Sequence, residues 1–203
     1  AESLRDIPLL GHLPRQAQSL PERHLGLGLP DELADFDARL DALADSLVLD
    51  DAAWQALPRW TLPPEPAPAL PPLLAGRRLA LARDAAFAFV YPANLACLRA
   101  LGAELVEFSP LADQPLPAGV DALYLPGGYP ELHAETLNRA RTWQASVRAA
   151  HAAGLPIWAE CGGMMALADA IETVDGHSWG MAGLLPGVAH MQDRLAGLGG
   201  QGW

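Results

Sequence analysis

With 203 residues, 51% of them hydrophobic, and a formal charge of −11, the chain can build the core of one domain or somewhat more and shows no basic face for nucleic acid. All thirteen basic residues are arginine, which excludes a Schiff-base lysine, a lysine general base and the lysine of a phosphate loop. The two cysteines, Cys97 and Cys161, are too few for a disulfide scaffold, and with no membrane-length apolar run and no targeting segment a reducing cytoplasm is expected.

Ile7 to Leu10 reads as one short strand. Asp31 to Leu47 reads as an amphipathic helix, with Leu33, Phe36, Leu40, Leu43 and Leu47 spaced by three and four and acidic residues between them. So little precedes this helix that its apolar stripe lacks a partner, and the chain is expected to start inside a larger domain. From Pro58 to Pro72 there are seven prolines, which read as an extended spacer because proline fixes φ and has no N–H. The expected organisation is a domain remnant over 1–57, a linker over 58–75 and a second domain over 76–203.

After the spacer, Arg78 to Arg83 reads as a first strand and Asn94 to Leu101 as a helix. Glu104 to Phe108 and Ala122 to Leu125 are the next strands. A long helix is expected from Leu132 to Ala153, ended by Gly154, and Leu155 to Glu160 is a fourth strand. Strands alternating with helices predict a mostly parallel α/β sheet covered on both faces. Ligands of such sheets bind outside the carboxyl ends of the strands.

Two motifs fall at such ends. In Leu155-Pro-Ile-Trp-Ala-Glu-Cys-Gly-Gly-Met-Met165 an apolar strand runs into a cysteine, two glycines and a helix-like pattern of Met164, Leu167, Ala168 and Ile171. That order is the thiol version of a nucleophile elbow. The unpaired N–H groups of a helix start favour thiolate there. Taken alone, the same window also fits a small buried hydrophobe. The second motif, Leu123-Tyr-Leu-Pro-Gly-Gly-Tyr-Pro-Glu131, ends a strand in the glycine pair Gly127 and Gly128. A thiol and a glycine turn on two strand ends can make a nucleophile and an oxyanion hole.

These residues carry a resemblance. Pro126 to Leu132 followed by Ala159 to Met165 resembles the glutaminase half of the cobyrinic acid a,c-diamide synthase family. Ala82 to Leu95 is similar to that family's opening strand and loop, and Met181 to Gln192 to its post-nucleophile hairpin. Gly11 to Arg15 and Leu20 to Leu27 resemble the last part of its ATP-dependent synthetase domain.

The resemblance implies a flavodoxin-like three-layer sandwich of the class I glutamine amidotransferases, preceded by a partial α/β synthetase remnant. It implies glutamine-dependent amidation of the a and c carboxylates of cobyrinic or hydrogenobyrinic acid in cobalamin biosynthesis. Cys161 corresponds to the nucleophile that forms a glutamyl thioester. Backbone N–H groups of Gly127 or Gly128, with that of Gly162, correspond to the oxyanion hole. ATP and Mg2+ belong to the complete enzyme, and no cofactor or metal is expected on this chain. The partners implied are glutamine, a corrinoid acid, a synthetase domain and a homodimer mate.

The sequence departs from the family pattern in two places. No G-x-x-x-x-G-K-[ST] loop is present, and the family's catalytic histidine segment is expected after residue 203, so weak activity is expected of this chain alone. The histidines present are His12, His24, His133, His151, His177 and His190. His133 reads as a helix-start residue, His151 as a solvent-facing one and His177 as part of a turn. Cys97, Met164 and Met165 read as packing. Glu160, pointing away from the elbow, reads as a structural hydrogen-bonding group. Tyr129 and Glu131 fit either substrate contact or capping of the long helix. A stand-alone cysteine hydrolase and an inactive scaffold remain as alternative readings.

Overall fold

The computed structural model describes residues 7–16, 33–63 and 70–192, and the chain divides into two compact units, Ala1–Ala67 and Pro68–Trp203. The division falls within the proline-rich stretch. No helix among the described residues is long and apolar enough to cross a membrane.

In the first unit, β1 (Gly11–His12) is followed by α1 (Phe36–Ser46), β2 (Val48–Leu49) and α2 (Asp51–Gln55). Gly11 pairs antiparallel with Leu49 and His12 with Val48. The strand expected at Ile7 to Leu10 is thus displaced to Gly11. There the Val48 carbonyl lies 2.4 Å from where a Cβ would stand, so only glycine allows this close approach. Leu10 contributes its carbonyl alone, accepting from Asp50 N at 2.8 Å. The helix expected from Asp31 starts at Phe36; Asp31 and Glu32 lie outside the described residues. Leu47 turns extended and ends it. None of its residues is fully buried, and Asp50 caps α2 by accepting from Ala53 N at 2.9 Å. The resemblance read over Leu20 to Leu27 lies outside the described residues, as does His24.

In the second unit, β3 (Arg78–Ala82), α3 (Pro92–Ala100), β4 (Glu104–Phe108) and β5 (Ala122–Leu125) follow in the expected order. Pro92 opens α3 two residues early, because its fixed φ and missing N–H suit a first helical turn. Next come a 3-10 turn (Pro130–His133), α4 (Ala134–Arg139), α5 (Arg141–Ala152) and β6 (Ile157–Ala159). The four strands are parallel in the order β4-β3-β5-β6. Second, first, third, fourth is the flavodoxin-like order. Side chains alternate across the sheet. Ala80, Ala82, Leu123 and Leu125 bury one face against Leu137, Trp143 and Val147 of the α4–α5 layer. Leu79, Tyr124 and Trp158 point to the other face, where with Cys97 and Leu98 of α3 they line an open cavity of about 340 Å³.

The long helix expected over Leu132 to Ala153 is broken. Ala140 leaves the helical region (φ −74, ψ 68). The buried Gln144 takes up the freed carbonyls, its Nε2 donating to Leu137 O at 2.8 Å and Asn138 O at 3.3 Å. Asp113, from the loop after β4, accepts Trp143 N at 2.9 Å and so caps α5 from a distance. That bond, with weaker ones from Thr142, holds the Asp113 carboxyl below the usual carboxylate range. Apolar spacing runs through the break unchanged, so periodicity could not show it. Gly154, left-handed at φ 83, ends α5 as expected. Gln144→Ala removes the side-chain donor from Leu137 O, which keeps Ala140 N at 3.2 Å, and from the part-buried Asn138 O, and is expected to cost about 1–2 kcal/mol in urea unfolding. Unchanged stability would remove Gln144 from this role.

The helical pattern read beyond Cys161 also ends early. α6 (Gly162–Met165) is one turn, and Ala168–Glu172 is a strand, β7. β7 is the centre of a second sheet, antiparallel to β8 (Ser178–Gly180) and parallel to β9 (Leu185–His190). The segment expected as a hairpin, Met181 to Gln192, therefore supplies a parallel strand, and the hairpin is β7–β8. Distant donors take the carbonyls that a continuing helix would have used. Ala166 O accepts Ala182 N at 3.1 Å, Leu167 O accepts Leu184 N at 2.8 Å, and Ala168 O accepts Gly183 N at 2.8 Å.

Candidate active site

β6 delivers Cys161 to the carboxyl end of the parallel sheet, beside the end of β5 that carries the glycine turn. Cys161 stands at φ 47 and ψ −114, a conformation that L residues rarely adopt and that costs about 1–3 kcal/mol. The turn is held on both sides. Glu160 N donates to Leu125 O at 3.0 Å before it. After it, Gly163 N donates to Glu160 O at 2.8 Å and Met164 N to Cys161 O at 3.0 Å. The side chain of Cys161 is exposed. Core packing is thereby excluded for this cysteine. Among the described residues no side chain hydrogen-bonds its sulfur.

The two motifs meet through their glycines. A Cβ on Gly127 would stand 3.4 Å from Cys161 Cβ. One on Gly162 would lie 2.6 Å from Pro130 Cδ and 2.8 Å from Gly128 O, and one on Gly163 only 2.2 Å from Leu125 O. At Gly162 and Gly163 these approaches leave no room for a side chain, whereas the distance at Gly127 is an ordinary van der Waals one. Among the described residues the N–H groups of Gly128 and Gly162 have no acceptor. Gly127, Gly128, Gly162 and Cys161 therefore form one cluster.

A third wall comes from the loop after β3. Phe89 N donates to Gly127 O at 3.0 Å, and the Phe89 ring meets Tyr129 edge-on at 5.0 Å. Gly128 packs on Ala86 O of the same loop. Asp84 shapes this loop, accepting from Ala86 N at 3.0 Å, Ser109 Oγ at 2.8 Å and Leu111 N at 2.9 Å. Asp84 and Phe89 were not singled out from sequence. An aspartate directly after a strand is a turn-former's signature, but its partners 25 and 27 residues away appear only on folding.

The remaining sequence candidates fall elsewhere or act indirectly. Tyr129 is fully buried and Glu131 is buried in the turn before α4. His133 ends that turn; its Nε2 is buried, with no hydrogen-bond partner among the described residues. His151 is exposed on α5, and His177 sits in the β7–β8 turn stacked on Trp179. His12 lies in the first unit, and His190 Nδ1 is 3.3 Å from Glu172. Met164, expected to pack, is 53% exposed because α6 has a single turn, while Met165 does pack on the core. Cys97, also expected to pack, is exposed at the cavity under α3. Glu160 takes the structural part expected of it: one carboxylate oxygen accepts from Tyr124 Oη at 2.9 Å and the other from Trp158 Nε1 at 2.8 Å. Burial first, and the Glu160 carboxylate second, push the Tyr124 phenol up to about 12.

Comparison with known proteins gives the family. Residues 78–200 match the model of the CobB/CobQ-like glutamine amidotransferase domain. A cobyrinate a,c-diamide synthase of Herminiimonas arsenicoxydans is 56% identical over 98% of this chain and 45% of its own length. A hydrogenobyrinate a,c-diamide synthase of Pseudomonas aeruginosa is 55% identical over 93% of this chain and 43% of its own. The chain thus spans less than half the length of these relatives. Among solved structures, a peptidase E-type protein of Listeria monocytogenes aligns with TM-score 0.44 at 17% identity over 55% of this chain and 64% of its own, too loose a match to add to the strand order. With residues 78–200 matched, the chain belongs to the CobB/CobQ-like glutamine amidotransferase domain family.

Proposed function

We propose that this chain supplies the glutaminase chemistry of a glutamine-dependent a,c-diamide synthase acting on a corrinoid acid. The observation that carries the reading is the nearness of the Gly127 turn to Cys161, within van der Waals reach of its Cβ, which sets a glycine turn beside an exposed thiol on a strained backbone. The Cys161 thiolate attacks the side-chain carboxamide carbon of glutamine. Charge on the resulting oxyanion is received by the N–H of Gly162 with that of Gly127 or Gly128. The C–N bond then breaks, ammonia leaves after gaining a proton, and a glutamyl thioester remains. Water cleaves the thioester, releasing glutamate and the thiol.

Ammonia produced this way amidates the a and c carboxylates in the longer protein, after their activation with ATP and Mg2+. The residues of this chain do not fit that nucleotide. It has no lysine for a phosphate loop. The proposed corrinoid substrate is cobyrinate or its cobalt-free counterpart, because the relatives include both cobyrinate and hydrogenobyrinate a,c-diamide synthases.

A chloroketone analogue of glutamine tests the reading. It is expected to alkylate Cys161 at least about tenfold faster than Cys97, with glutamine protecting only Cys161. Equal labelling of both thiols, or labelling that glutamine does not slow, refutes it. Because no described side chain is bonded to the sulfur as a base, turnover is expected to fall about 10²–10⁴-fold below that of a complete amidotransferase. Measured glutamate release at full rate would overturn that part.

A further inference from the structure

We infer that Glu160 is a positioning residue for the nucleophile, with Tyr124 and Trp158 as its clamps. This rests on the proposed glutaminase reading for its meaning, though not for its test. Trp158 lies on β6 and Glu160 directly follows the strand; two apart, both line the cavity under α3. Cys161 follows Glu160 on the turn at the strand end. The backbone can hold φ 47 at Cys161 only if the residues on either side are fixed. Downstream, the glycine contacts of α6 provide that. Upstream, the main chain of β6 ends at Ala159, and Glu160 has one backbone N–H bond, to Leu125 O at 3.0 Å.

The side chain supplies the rest. Both carboxylate oxygens are engaged, one by Tyr124 Oη at 2.9 Å and one by Trp158 Nε1 at 2.8 Å. Tyr124 lies opposite Trp158 in the β5–β6 register, so the clamp joins the strand of the glycine turn to the strand of the thiol. It works across the sheet from the reacting atoms. Hydrogen bonds to a charged acceptor are the stronger kind, and two of them fix the carboxylate plane as well as its position. A shift of the strand end would move the sulfur relative to the N–H groups of Gly127, Gly128 and Gly162. Misplacement by an ångström at a reacting centre costs about a hundredfold in rate.

The test compares Glu160→Gln, Glu160→Ala and Tyr124→Phe with the parent chain. Glutamine keeps an acceptor for the indole and an amide able to donate to the phenol oxygen; alanine removes both bonds and the charge. Alkylation of Cys161 is followed by peptide-resolved mass spectrometry and normalised to its labelling in the same protein unfolded in urea, because Cys97 lines the cavity that Tyr124 and Glu160 also line. With the glutamine chloroketone, Glu160→Ala is expected to lower the maximal inactivation rate about tenfold or more while the half-saturating concentration stays within about threefold. Glu160→Gln is expected to restore the rate to within about threefold, and Tyr124→Phe to fall between the two. Iodoacetamide, which needs no glutamine site, should show the same order at Cys161.

Equal maximal rates in all four proteins overturn the inference, as does a Glu160→Gln rate as low as that of alanine. If the parent chain shows no preference for the chloroketone, the glutaminase reading fails, and the iodoacetamide order still decides the positioning claim. Should Glu160→Ala not fold, the Glu160→Gln and Tyr124→Phe pair carries the comparison: a Tyr124→Phe rate equal to the parent's then overturns the claim.

Discussion

Cys161→Ala is expected to abolish glutamine-protectable alkylation and all glutamate release, while Cys161→Gly is expected to be the more stable of the two sulfur-free variants. The chemical loss is complete because Cys97, the other thiol, lines the cavity under α3 and takes no part in the glycine cluster. The stability difference follows from the backbone. At φ 47 and ψ −114 any Cβ is strained, and glycine alone is free of that strain. Relief of roughly 1–3 kcal/mol is partly offset by about 1 kcal/mol of extra chain entropy in unfolded glycine. Cys161→Gly should therefore unfold at higher denaturant than Cys161→Ala, by roughly 1 kcal/mol. A midpoint for the alanine variant at or above that of glycine would show that the elbow stores no strain.

The second large effect is expected at Gly128. An alanine there would put its Cβ 2.1 Å from Ala86 O and 2.7 Å from Ala86 C. Backbone atoms in a loop tied by Asp84 cannot withdraw as the end of a flexible side chain could. Gly128→Ala is expected to cost about 3 kcal/mol or more and to remove the preference of the chloroketone for Cys161, because the turn must leave the elbow. Gly154→Ala is the control. Gly154 is left-handed, at φ 83, and nothing lies within 4 Å of its Cβ position. Its cost should stay near 1 kcal/mol, with alkylation of Cys161 unchanged. Similar losses at the two positions would mean that backbone conformation, and not the Ala86 contact, sets the requirement for glycine.

The legible part of the fold was the part that local chemistry specifies. β4 and β5 occupy their expected residues, and β3 and β6 lie inside their expected spans, because short apolar runs between turn residues have few alternatives. The helices were less legible. Apolar spacing passes through Ala140 without a mark, since the break is made by Gln144 and by Asp113, the latter 30 residues from its partner Trp143. Beyond Cys161 the 3.6-residue pattern was present, yet Ala168 to Glu172 became a strand once β8 and β9 offered it ladders on both sides. Periodicity reports which side chains can be buried together and not which carbonyls will find donors.

The same division holds at the site. The sequence by itself determined the kinds of groups present: a thiol between a strand and two glycines, a second glycine pair at another strand end, and no lysine anywhere. Residue type and spacing decide such matters, and they were enough to point to Cys161, Gly127, Gly128 and Gly162. Tertiary structure alone decided that Gly127 packs on Cys161, that Gly128 rests on the loop held by Asp84, and that Glu160 is gripped by Tyr124 and Trp158. Those contacts join residues 25 to 42 positions apart in several cases, such as Asp84 with Ser109 and Gly128 with Ala86. They depend on the order in which four parallel strands lie side by side, and that order is a property of the packed sheet, not of any segment within it.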